Sequence, residues 1–149
     1  MNEDTPRLDE IAILEQMDTE ERRVAAERAG FLEIMGAVVE ALPDALLIVN
    51  EDGLITLANA QAELIFNYHR DQMVGQTVEM LLPDRFRNGH LGHRVSYFFE
   101  PRVRAMGDFR EIMGRRRDGK EVAVEIMLAP VITRSGTYAL AVVRRKRNG

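Results

Sequence analysis

Two Asp-Gly dipeptides, Asp52-Gly53 and Asp118-Gly119, constrain the fold most strongly, because each separates two short runs of strand-forming residues. An Asp-Gly turn between such runs is a strong signal for an antiparallel β-hairpin. The sequence therefore predicts two hairpins. Their predicted strands cover residues 45–49, 54–57, 109–116 and 121–129.

Residues 121–129 have a regular two-residue alternation, which predicts that one face of this strand points into the core. The predicted core-facing residues are Val122, Val124, Ile126 and Leu128. Glu121, Ala123, Glu125 and Met127 are predicted to face the other way. A last strand is predicted over residues 138–143, after Ser135-Gly136.

Helical spacing appears between the two hairpins. Residues 59–66 predict a short helix with Asn59 as its N-cap, followed by a turn region that reaches Gly75. A further helix is predicted over residues 84–98. Its predicted inward positions are Phe86, His90, Val95 and Phe98. Helices placed among consecutive antiparallel strands predict an α+β domain with a single sheet.

Residues 7–42 predict an N-terminal amphipathic helix that ends before Pro43. The pattern leaves open a break near Gly30 or in the polar residues 18–23. A helix cannot bury its own apolar stripe, so this one is expected to pack on the domain, on a second copy of itself, or on both.

Composition excludes several kinds of protein. The chain has 149 residues and no cysteine, which rules out disulfides, thiolate metal sites, cysteine nucleophiles and a cysteinyl–flavin photoadduct. No stretch is apolar enough for a membrane span, and the N-terminus does not look like a signal peptide. We therefore predict a cytoplasmic protein without membrane contact.

Charge is unevenly distributed along the chain. The net charge is −4, yet residues 1–43 hold 11 acidic and 4 basic side chains, and basic runs lie at residues 115–117 and 144–147. The basic runs lack interleaved aromatic residues and any DNA-binding motif, so they are interpreted as solvated surface charge, with no nucleic-acid partner. No phosphate-binding loop or nucleophile–base pattern is present, and no enzymatic activity is predicted.

The order of elements, taken with four sequence motifs, resembles the PAS domain family over roughly residues 37–145. The motifs are residues 45–55, the Asn-x-x-Ala sequence from Asn59 to Ala62, Val74–Gln76 and the basic Asp-Gly hairpin at residues 115–122. The resemblance implies a PAS fold. This is a five-stranded antiparallel sheet in the order 2-1-5-4-3, with short helices over one face and a cavity between them.

Within that family, residues 83–119 resemble the oxygen-sensing haem PAS domains of the FixL type. A neutral imidazole can bind iron, and a guanidinium can donate a charged hydrogen bond to a gas ligand. The resemblance therefore implies His90 as the iron ligand of haem b, Arg110 as the donor to the gas and Arg104 as a propionate contact. It also implies that Val124, Ile126 and Leu128 line the gas-binding side. Ser96 departs from the pattern, because these sensors often have an arginine there.

These observations predict a PAS sensor, with residues 1–36 as a helical extension for dimerisation or signalling and residues 37–149 as the sensor domain. The predicted ligands are haem b and oxygen or another diatomic gas, whereas flavin is not expected. Two alternatives remain: a cofactor-free dimerisation module, and a sensor of a small organic ligand held by Arg110. The predicted protein partners are a second copy through the N-terminal helix, and a signalling partner in trans or a missing effector domain.

Overall fold

The computed structural model of the protein describes residues 7–89 and 111–146. The chain divides into two compact units, Met1–Val38 and Val39–Gly149. In the ranges that the structure describes, every helix is too short or too polar to cross a membrane.

The first unit contains helix α1 (Leu8–Gln16) and most of helix α2 (Thr19–Ala41). The break between them follows the polar sequence near residue 18 and not Gly30, which lies within α2. Asp18 explains the position of the break, because its Oδ1 accepts a hydrogen bond of 2.8 Å from the N–H of Glu21. A glycine inside a helix costs only about 1 kcal/mol, which does not by itself end the helix.

Many apolar side chains of these two helices are exposed, and α2 buries none of its residues. The exposed residues include Leu8, Ile13, Phe31, Leu32, Ile34, Met35 and Val38.

The second unit is built on a five-stranded sheet. Its strands are β1 (Ala45–Val49), β2 (Ile55–Ala58), β3 (Glu111–Arg115), β4 (Glu121–Thr133) and β5 (Gly136–Arg145). Their order is β2-β1-β5-β4-β3, and every described pair of neighbours is antiparallel. The predicted fold class, both hairpins and the expected strand order are confirmed.

Strands β4 and β5 are longer than predicted, because β4 does not end before Pro130. The register pairs Pro130 with Ala139 of β5, while the described part of β3 pairs with β4 only as far as Glu125. Proline lacks a backbone N–H and is therefore tolerated in a strand where that N–H has no partner strand to meet.

Helix α3 (Ala60–Phe66), helix α4 (Arg70–Met73) and a 3₁₀ helix (Val78–Leu81) supply the rest of the core. The sequence predicted a turn region where α4 lies. His69 caps this helix: its Nδ1 accepts from the N–H of Asp71, and its own N–H donates to Oε1 of Gln72. The missed signal is a capping box in which histidine takes the usual place of serine or threonine.

Asn59 is fully buried and is the N-cap of α3, as predicted. Its Oδ1 accepts from the N–H of Leu46 at 2.9 Å and from that of Ala62 at 3.1 Å. Its Nδ2 donates to the carbonyl oxygens of Val39 at 2.9 Å and Asp44 at 3.1 Å. One side chain therefore joins the last turn of α2, the start of β1 and the start of α3.

We expect Asn59→Ala to lower the free energy of unfolding by roughly 2–4 kcal/mol, because buried backbone groups would lose their partners. Urea unfolding at neutral pH measures this. Asn88→Ala, at an exposed helical position, is the matched control and should change stability by less than about 0.5 kcal/mol. Equal effects of the two substitutions would contradict the assigned role of Asn59.

Candidate functional site

The helix-covered face of the sheet is the candidate ligand-binding surface. Three cross-strand rows lie on it: Ala45–Val143–Ile126, Leu47–Ala141–Leu128 and Val49–Ala139–Pro130. In two of these rows the central residue, supplied by β5, is alanine. Because alanine has a short side chain, the middle of this face carries little side-chain volume. Sequence reasoning predicted β5 but missed these alanines, although the alternation of residues 139, 141 and 143 was a usable signal.

Val124, Ile126 and Leu128 share this face, as the alternation predicted. Val124 is buried in the core cluster, whereas Ile126 and Leu128 are half-buried and pack against that cluster. These three residues form the wall of β4, and along it the side chains change from buried at Val124 to half-buried at Leu128. All three side chains are aliphatic, so this part of the face could pack against an apolar ligand and exclude water from the contact.

His90, Arg104 and Arg110 lie outside the described residues, so the structure gives no geometry for them. The described chain approaches them from both sides: residues 84–89 are helical, and β3 begins at Glu111. In residues 7–89 and 111–146, no three His, Asp or Glu side chains come together in a way that could hold a metal ion.

The predicted inward position of Phe86 is wrong, since 44% of this residue is exposed. The guanidinium carbon of Arg85 lies 4.5 Å from the centre of its ring, within the range of a cation–π contact. Arg85 also forms an ion pair with Glu121 on β4. Partial cover by the Arg85 side chain accounts for an aromatic residue at this exposed position.

Gly114 allows β3 to approach α3 closely. A Cβ atom at this position would lie 3.0 Å from Cε1 of Phe66 and 3.4 Å from Cγ1 of Val122. Glycine within a strand often marks such a close approach. The sequence therefore contained the signal, but the partner, Phe66, became evident only from the structure.

A cluster of charged residues around Arg70 lies beside the core of the second unit. The Arg70 guanidinium binds both carboxylate oxygens of Glu40, with Nη1–Oε1 at 2.7 Å and Nη2–Oε2 at 3.0 Å. Its Nη2 also donates to Oε1 of Glu63 at 2.8 Å. These hydrogen bonds lower the pKa of both carboxyl groups, and the two carboxylates, Glu40 first, raise the pKa of Arg70. The sequence gave no signal for this cluster, because residues 40, 63 and 70 are far apart in the chain.

A family model described as "PAS fold" matches residues 33–146. This range includes the whole sheet, the helices around it and the three predicted site residues that lie outside the described part.

Two curated relatives are sensor proteins. The sensor protein FixL of Bradyrhizobium diazoefficiens is 25% identical over 108 residues, which are 72% of this chain and 21% of FixL. The oxygen sensor protein DosP of Escherichia coli is 26% identical over 98 residues, which are 66% of this chain and 12% of DosP. The chain therefore resembles only a small part of each relative.

Solved structures share the fold at low sequence identity. The PAS domain of an HTR-like protein from Haloarcula marismortui has a TM-score of 0.67 and 22% identity, covering 87% of this chain and all of that domain. The Rhodobacter sphaeroides LOV protein has a TM-score of 0.63 and 18% identity, covering 76% of this chain and 65% of that protein. At these identities the likeness concerns the fold alone.

Proposed function

The chain belongs to the PAS fold family of sensory and signalling modules, and on that premise we propose that residues 37–149 bind haem b and sense a diatomic gas, oxygen first. The observation that carries the proposal is the aliphatic wall of β4, half-buried at Ile126 and Leu128 beside the small residues of β5. The similarity to DosP, named as an oxygen sensor, supports the same ligand.

The donor types in the chain fit haem. When bound, haem supplies an iron atom at which a diatomic gas binds. We assign His90 to hold the iron, Arg104 to contact a propionate and Arg110 to donate a hydrogen bond to the gas. Val124, Ile126 and Leu128 would keep water away from the gas-binding side. The described part of this wall carries no charged side chain, which suits an apolar macrocycle.

Substitution of His90 tests the haem assignment. We expect His90→Ala to abolish the Soret absorption of protein expressed with a supply of haem, because the iron would lose its protein ligand. The matched control is His93→Ala, three residues along the chain, which should retain the absorption. Stoichiometric haem in the His90→Ala protein would refute the assignment.

Substitution of Arg110 tests the sensed gas. Arg110 would donate a hydrogen bond that oxygen accepts better than carbon monoxide does, so we expect Arg110→Ala to weaken oxygen binding much more than carbon monoxide binding. Loss of a charge-assisted hydrogen bond of about 1.5–3 kcal/mol corresponds to roughly one to two decades in the oxygen affinity. Flash photolysis and oxygen titration measure both affinities. Equal weakening for the two gases would assign Arg110 a structural role.

A second candidate function is a cofactor-free interaction module, which the exposed apolar side chains of α1 and α2 favour. On this proposal residues 1–36 dimerise the chain in an isologous contact between two copies. The two functions are compatible, since a gas sensor can also be a dimer. The colour of the purified protein distinguishes a haem sensor from a module that binds no cofactor.

Deletion of residues 1–36 should convert a dimer into a folded monomer. The truncated chain keeps Val39 and Glu40, which Asn59 and Arg70 bind, and it keeps the whole sheet. Sedimentation equilibrium at tens of micromolar measures the mass, and circular dichroism checks the fold. A full-length monomer, or a truncated protein that remains dimeric, would contradict this location of the interface.

A further inference from the structure

The fold brings together two basic runs that are far apart in sequence. Arg116 follows β3, whereas Arg145 ends β5 and Lys146 comes directly after it. Both runs meet at the hairpin end of the sheet, where an open depression of about 330 Å³ forms. Its lining residues are Arg116, Lys120, Glu121, Val122, Ala123, Arg145 and Lys146.

The lining has four cationic side chains and one carboxylate. The carboxylate is that of Glu121, and Arg85, which does not line the depression, forms an ion pair with it. Arg116, Lys120 and Arg145 form no ion pair with any residue that the structure describes. The depression therefore carries an excess of positive charge that the described chain does not neutralise.

Arg116 is half-buried, whereas Lys120 and Arg145 are exposed. Its Nε is buried and makes no hydrogen bond within the described ranges. Its backbone is fixed in the hairpin, since its N–H donates to the carbonyl oxygen of Lys120 at 2.9 Å. The planar fork of an arginine guanidinium matches phosphate oxygens.

We propose that this depression binds a small phosphate anion with several negative charges, such as a diphosphate group. The volume of about 330 Å³ is at the lower end of known ligand pockets. Three cations without an ion pair in the described chain, placed around one depression, suit a compact multiply charged anion better than carboxylates spread along an acidic peptide. No aromatic side chain is among the lining residues, so the depression offers no stacking surface to the bases of a nucleic acid.

Isothermal titration of the full-length chain with pyrophosphate, at low ionic strength, tests the proposal. We expect Arg116→Gln and Lys120→Gln each to weaken binding by about ten-fold or more, the usual effect of losing one charge-assisted bond. The matched control is Arg134→Gln, which removes one exposed positive charge at the turn between β4 and β5 and should leave the affinity unchanged. Lys120 is exposed in the turn, so Lys120→Gln decides the question if Arg116→Gln does not fold.

Three outcomes would overturn the proposal. The first is a dissociation constant for pyrophosphate weaker than about 1 mM, because three cations without an ion pair among the described residues should do better. The second is equal weakening by Arg134→Gln, which would indicate a general effect of net charge. The third is tighter binding of single-stranded RNA or of a polyglutamate peptide than of pyrophosphate, with the same dependence on Arg116 and Lys120.

Discussion

The buried side chain of Asn59 is the interaction on which the second unit most depends. An amide can donate twice and accept twice, and Asn59 uses both kinds of group on backbone partners in three elements. Satisfied in this way, it fixes β1 against the start of α3, and the core face of the sheet follows from that contact. A buried amide with missing partners would instead cost stability, so the local geometry is specified tightly.

Arg70 acts beside Asn59 on the same short stretch of chain. Asn59 binds the carbonyl oxygen of Val39, and Arg70 binds the carboxylate of Glu40, so the last turn of α2 is held by two different kinds of contact. The Arg70 pairs are partly exposed, with 37% of its side chain accessible, so their contribution to stability is smaller than that of the buried amide. These ion pairs fix relative positions, because Glu63 lies in α3 and Arg70 begins α4. A displacement of either helix would therefore disturb the ion pair with Glu40. Coupling of this kind requires a contiguous physical contact, and the structure provides one.

The structural features that could be predicted from the sequence are those that neighbouring residues determine. The Asp-Gly turns, the alternation of β4 and the Asn59 cap each depend on a few adjacent positions, and all were predictable. The alternation of residues 139, 141 and 143 was a local signal for the alanines of β5, but their cross-strand partners depend on strand register. The Arg70 cluster depends on the folded chain and had no local signal. The predicted end of β4 at Ala129 was too early, because the strand continues through Pro130 to Thr133. The site residues His90, Arg104 and Arg110 stay predictions, since they lie outside the described residues.

The core-facing side of the sheet is built differently on β5 and on its neighbour β4. Ala139 and Ala141 occupy the centre of the core-facing side, where each additional buried CH₂ group would contribute about 0.8 kcal/mol to stability. Both alanines are already almost completely buried, so a larger side chain at either position would also have to displace its neighbours, which costs about 1–3 kcal/mol. On the proposed function, an apolar ligand would make its contact at the half-buried side chains of β4, and its binding free energy would add to the stability of the fold. Ile126 and Leu128, half-buried on the neighbouring strand, have the position and the chemistry to complete such a surface.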